Sequence, residues 1–75
     1  MTKEEAVNLY ESNFYSNMTA REIAIFQLFE ERLCIPFAVF HKAVEESLGR
    51  PVVDVEFVYN LDGLRQELLG VNYVI

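Results

Sequence analysis

The chain has 75 residues, with 12 acidic and 6 basic side chains and a formal net charge of −6. Its 52 % apolar and 24 % charged residues exclude the disordered class and leave room for one domain, residues 1–75, around one small core. The basic residues are scattered singly, so no phosphate-binding patch is present and we expect no nucleic-acid partner.

Two capping boxes predict the first two helices. Thr2 with Glu5, and Thr19 with Glu22, are spaced so that hydroxyl and carboxylate each bind a free backbone amide of the first turn. The polar stretch 13–17 should end the first helix, and apolar spacing near 3.6 gives each helix an inward side. The predicted inward residues are Ala6, Val7, Leu9, Tyr10 and Phe14 in the first helix, and Ile23, Ile25, Phe26, Phe29 and Leu33 in the second.

A third helix is predicted between Pro36 and Gly49. Proline suits the first helical position and disfavours helical geometry in the residue before it, so Cys34 and Ile35 are interpreted as a short corner. Gly49 supplies a left-handed stop, and the following Arg-Pro cannot continue the helix.

The remaining chain predicts strands. Val52 to Tyr59 alternates with period two, which is typical of a half-buried strand. A short helix follows from Asn60 to Gly70, with Leu61, Leu64 and Leu68 inward, and Val71 to Ile75 returns to β-type composition. The predicted fold class is α+β, three amphipathic helices followed by strand, short helix and strand. An all-α small bundle is the alternative.

Two strands alone leave edges that pair with another chain. We therefore expect a protein partner, with a homodimer as one form of it, which would also enlarge a small core. Candidate interaction residues are Arg50, Glu45, Tyr59, Tyr73 and Val74. Beside Pro51, the Arg50 guanidinium is placed to bind a partner carboxylate in a bidentate manner. The alternative is bonding to the last carbonyls of the third helix or to Glu45 or Glu46. Tyrosines are common interface anchors.

No catalytic constellation is apparent. His41 has Glu45 one turn later, but two ligands are fewer than zinc requires, so we interpret His41 as a histidine at the core edge. Cys34 precedes the third helix, where the helix dipole favours a thiolate, yet His41 lies two turns away, so we interpret Cys34 as a small buried residue. We predict no enzyme activity, no cofactor, no metal and no small-molecule substrate.

Location also follows from these features. A lone cysteine forms no internal disulfide, and the amino terminus lacks the cationic and apolar blocks of a secretory signal. No apolar run approaches the roughly 18 residues of a membrane span. We expect a cytoplasmic protein with no membrane partner.

These observations favour a non-enzymatic protein-interaction module. The net charge of −6 motivates an alternative, an acidic mimic of nucleic acid that inhibits a basic DNA-binding protein. A further alternative is a helix-turn-helix-like DNA binder built from the second and third helices. The third helix argues against it, because Glu45 and Glu46 lie where groove recognition needs basic or amide side chains.

Residues 37–57 carry a family resemblance. The pattern Phe37-x-x-Phe40-His41-x-Ala43-x-Glu45-x-x-Leu48-Gly49-Arg50-Pro51-Val52, continuing to Glu56-Phe57, resembles small bacteriophage and prophage proteins of unknown function. In that family Thr-His-Glu often precedes the aromatic residue, whereas Asp54 and Val55 precede Glu56 here. The resemblance implies a phage-encoded accessory protein in the host cytoplasm and implies no activity, cofactor or catalytic residue.

Overall fold

The computed structural model describes residues 1–70, and every regular element within that range is helical. The elements are α1 (Lys3–Ser12), a 3-10 turn (Phe14–Asn17), α2 (Ala20–Leu28), α3 (Phe37–Leu48), α4 (Glu56–Tyr59) and α5 (Leu61–Gly70). The main packing is between α2 and α3, and α5 contacts both. Across the described residues, no helix has the length and apolarity needed to cross a membrane.

Both predicted capping boxes are confirmed. Thr2 Oγ1 accepts from the Glu5 amide at 3.1 Å, and the Thr2 amide donates to the Glu5 carboxylate at 2.8 Å. The pair Thr19 and Glu22 repeats this arrangement at the start of α2. These hydrogen bonds stabilise the ionised carboxylates and lower the pKa of both glutamates.

The predicted end of α3 at Gly49 is also confirmed, and the helix begins at Phe37, one residue after the predicted start. Pro36 is its N-cap, and Gly49 ends it in the left-handed region, at φ 70° and ψ 26°. The Gly49 amide donates to the Glu45 carbonyl at 2.9 Å. Any other residue type at Gly49 would be strained by this positive φ.

The core lies between α2, α3 and α5. Its buried members are Ile23, Ala24, Leu28, Ile35, Phe40, Ala43, Val44, Val52, Leu64 and Leu68. Leu64 and Leu68 therefore face inward as predicted. From α1, by contrast, only Ala6 is buried, and the prediction that Val7 and Tyr10 face inward is wrong. α2 also ends at Leu28, before the predicted Leu33, because the chain turns away to form the connection 29–36.

The predicted α+β fold class is wrong for residues 1–70, where the all-helical alternative describes the structure. The predicted strand 52–59 is a turn followed by α4. Local hydrogen bonds replace strand pairing: the amides of Glu56, Phe57 and Val58 donate to carbonyls three residues earlier, at 3.0–3.1 Å. A strand here would need a second strand to satisfy its backbone hydrogen bonds, and residues 1–70 contain none. The second predicted strand, Val71 to Ile75, lies outside the described residues.

Candidate functional site

Residues 52–59, which we call the presented segment, place four apolar side chains on the surface. Val53, Val55, Val58 and Tyr59, the exposed apolar set, are between 50 % and 84 % exposed. Val55, Val58 and Tyr59 follow the i, i+3, i+4 spacing of a helical turn, so they share one side of α4. Burial of apolar surface is favourable by about 25 cal/mol per Å². Covering this cluster with a partner would therefore stabilise the complex.

The beginning of the presented segment is fixed to α3. The Val52 side chain is buried, its amide donates to Glu45 Oε2 at 2.9 Å, and His41 Nε2 donates to its carbonyl. Because a carbonyl only accepts, this bond places a proton on Nε2. His41 Nδ1 lies 3.4 Å from an Asp54 carboxylate oxygen. Glu45, a predicted interaction residue, thus binds the chain's own backbone.

The middle of the presented segment is held by aromatic packing. The Phe57 ring lies 5.2 Å from Phe37, 5.1 Å from Phe40 and 5.4 Å from His41, measured between centroids. Edge and tilted contacts at these distances are favourable for aromatic rings. Phe57 therefore faces α3, while its neighbours Val58 and Tyr59 face solvent.

Arg50 fixes the segment from the other side. Its guanidinium binds both oxygens of Glu67 at 2.8 and 2.9 Å and both oxygens of Glu56 at 3.2 Å. A further bond reaches the Pro51 carbonyl at 3.0 Å, so all five N–H donors are used within the chain. The guanidinium lowers the pKa of both carboxyls, and they in turn raise the pKa of Arg50. Arg50 thereby connects the end of α3 with α4 and α5.

The other predicted site residues lie elsewhere. Tyr59 is the most exposed member of the exposed apolar set, whereas Tyr73 and Val74 fall outside the described residues. Cys34 is fully buried, and this burial, with a smaller effect of the Glu30 carboxylate, raises the pKa of its thiol. Within residues 1–70 no three His, Cys, Asp or Glu side chains are grouped to hold a metal ion.

Gln27 is an organising residue that the sequence analysis missed. Its buried side chain accepts from the amides of Cys34 and Ile35, at 2.8 and 3.1 Å, and donates to the Arg32 carbonyl at 2.8 Å. These bonds satisfy the backbone of the connection 29–36. The available signal was its spacing, four residues after Ile23 and thus on the inward side of α2.

A shallow groove lies on the surface between α2 and α3. Its volume is 310 Å³, and its lining is Ile23, Val39, Lys42, Ala43 and Glu46. Lys42 and Glu46 carry opposite charges, and neither sign dominates the groove. This face of α3 is therefore a poor match for a nucleic-acid backbone.

Comparison with known proteins finds a match to the family model described as Domain of unknown function (DUF7736), over residues 20–70. The match begins at the first residue of α2 and ends at the last residue of α5, so α1 and the 3-10 turn precede it. No curated protein and no solved structure matches the chain.

Proposed function

The chain belongs to the DUF7736 family, and we propose that it is a non-enzymatic protein-interaction module that binds its partner through the exposed apolar set. The observation that carries this proposal is the combination of four exposed apolar side chains with a backbone fixed by Glu45, His41 and Arg50. A soluble domain gains nothing in the free state from exposing such a cluster.

Fixing the backbone supports the same proposal. Binding orders side chains and loops, and a surface already held in its bound conformation avoids part of that entropy loss. In the presented segment, the amide and carbonyl of Val52 are bonded to α3, and Glu56 is bonded to Arg50. The side chains of this segment available to a partner are therefore those of the exposed apolar set and Asp54.

The phage resemblance supports a biological setting. The residues quoted for it include His41, Glu45, Arg50 and Glu56, the same residues that fix the presented segment. We propose an accessory protein of phage origin acting in the host cytoplasm, and the resemblance covers residues 52–57 of the presented segment.

The acidic-mimic alternative receives less support. A mimic needs its carboxylates displayed to a basic partner. Several of them are instead bonded within the chain: Glu5 and Glu22 in the capping boxes, and Glu56 and Glu67 to Arg50.

The proposal is tested by comparing two valine-to-aspartate variants. Val58→Asp places a charge within the exposed apolar set, and Val7→Asp places the same charge on exposed α1, ahead of the family match. Proteins retained from the native host lysate by the wild type should be retained by Val7→Asp and lost by Val58→Asp, while both variants melt near the wild type. Equal retention by Val58→Asp, or no retention by the wild type, would contradict the proposal.

A further inference from the structure

The charges around the presented segment indicate what kind of partner it fits. Arg50 bonds directly to this region, and Arg65 bonds to Asp62, three residues beyond its end. Arg50 uses all five donors on Glu56, Glu67 and Pro51. Arg65 donates from Nε to the Leu28 carbonyl at 2.6 Å and from Nη1 to Asp62 at 2.9 Å, with its guanidinium 5.6 Å from the Phe29 ring centre. Arg50 therefore has no donor left for a partner carboxylate, and the guanidinium of Arg65 is directed toward Leu28, Phe29 and Asp62.

The accessible charge beside the exposed apolar set is negative. Asp54, between Val53 and Val55 in the chain, has 79 % of its side chain exposed. Asp62, three residues after Tyr59, has 87 % of its side chain exposed. An apolar centre with carboxylates at its edge is complementary to an apolar pocket surrounded by lysine and arginine.

The same charges argue against a second copy as the occupant. A two-fold interface brings the same patch of both copies together, so carboxylates such as Asp54 would approach their counterparts. Each copy also carries a net charge of −6. Like charges across an interface disfavour association, whereas a basic partner is attracted to the same surface.

Tyr59 is suited to be the anchor of this contact. It is 84 % exposed at the end of α4, while Phe57 two residues earlier is packed on α3. The partly buried Phe57 fixes the direction of the turn, and Val55, four residues before Tyr59, lies on the same side of the turn as Tyr59. Tyrosine is enriched among the residues that dominate binding energy, because its rigid ring buries a large area and its hydroxyl still bonds.

Building on the proposed function, we propose that the partner is a different protein with an apolar pocket rimmed by lysine or arginine, into which Tyr59 inserts. The pocket covers Tyr59, Val55 and Val58, and its basic rim faces Asp54 and Asp62. Affinity then comes mainly from the apolar contact, while the charges select the partner and speed encounter.

A random peptide library displayed on phage provides a defined probe. We expect peptides selected on the wild-type protein to combine aliphatic or aromatic residues with flanking lysine or arginine. A synthetic peptide of this kind should lose about tenfold or more in affinity for Tyr59→Ala. Its Kd should also rise roughly tenfold between low and high salt, because exposed charges are screened. Tyr10→Ala, which changes an exposed tyrosine of α1, is the matched control and should bind as the wild type does.

The outcomes separate the two proposals. If the selected peptides bind Val58→Asp as tightly as the wild type, the proposed function itself fails; if they lose affinity for Val58→Asp but not for Tyr59→Ala, only Tyr59 as the anchor is overturned. If selected peptides need Tyr59 but are neutral or acidic, or bind equally at all salt concentrations, the basic partner is overturned and the interaction module stands. A wild-type dimer in sedimentation that Tyr59→Ala abolishes would overturn the assignment to a different protein.

Discussion

Two connections flank α3, and they differ in how many apolar side chains they expose: Phe29 and Leu33 in 29–36, against the four members of the exposed apolar set in the presented segment. The connection 29–36 buries Cys34 and Ile35 completely, while the presented segment leaves Val53 and Val58 in solvent. Both are fixed by side chains that bond their backbone. In the first connection Gln27 does this from inside the core; in the second, the bonds come from groups at the surface.

The difference shows that composition alone does not decide burial in this small domain. Backbone amides and carbonyls must be satisfied wherever they lie. The buried Gln27 side chain satisfies the amides of Cys34 and Ile35, the two residues of its connection that are buried. Partly exposed partners such as Glu45 and Arg50 hold the presented segment at the surface. The first connection contributes to stability, and the second is suited to binding.

The largest effect is expected when one aliphatic side chain in each connection is shortened to alanine. Ile35→Ala removes a fully buried side chain and should lower the free energy of unfolding by about 2–5 kcal/mol, as lost burial and a cavity combine. Val53→Ala changes an exposed side chain and should stay within about 0.5 kcal/mol of the wild type. Urea unfolding followed by circular dichroism measures both. Similar losses would show that the presented segment also supports the core.

A second prediction concerns the buried amide. Gln27→Leu leaves two amides and one carbonyl of the first connection without their partner, and should cost about 2–3 kcal/mol of unfolding free energy. Gln66→Leu makes the same change on the exposed side of α5 and should have little effect. The same urea titration compares them. Equal stability of the two variants would mean that the connection bonds elsewhere at no cost.

The smallest expected effect is a pH dependence from the second connection. Arg50 holds the pKa of Glu56 and Glu67 below the ordinary glutamate value. The resulting stabilisation is therefore complete above the unfolded-state pKa, about 4.3, and is lost as pH falls through the lower folded-state pKa. Thermal melting from neutral pH to about pH 3 should consequently show a steeper acid loss for the wild type than for Arg50→Gln.

The control for this pH experiment is Arg32→Gln, which removes an exposed positive charge from the connection 29–36. Glu5 and Glu22 also have lowered pKa values, but they contribute equally to all three proteins. A parallel acid profile for Arg50→Gln and the wild type would show that the ion pairs add nothing to stability in water.

Local signals made the helix limits predictable. Thr2, Thr19 and Gly49 act within one turn of their own helix, so their neighbours in sequence are also their partners in space. The inward positions Leu64 and Leu68 were likewise given by spacing along α5. These features depend on contacts three or four residues apart.

The candidate site depended on contacts that sequence spacing does not reveal. Arg50 pairs with Glu67, seventeen residues later, instead of with the glutamates of α3 considered from the sequence. Val52–Tyr59 alternates as a strand does, but burial does not follow the alternation: Val52 and Phe57 pack inward, while Val53, Val55 and Tyr59 are exposed. Such a pattern becomes a strand only beside a second one.

Because the thiol of Cys34 is buried, its rate of chemical labelling can measure local opening of the protein. With its raised pKa, and with Sγ lying 3.2 Å from Met1 Sδ, the thiol is shielded both by the connection 29–36 and by the start of the chain. A thiol reagent reaches it only during an opening event, so the labelling rate counts those events without an introduced label. Cys34 lies within the family match, and its contact Met1 lies before it. The labelling rate of Cys34 therefore also measures how often the segment before residue 20 detaches from the rest of the domain.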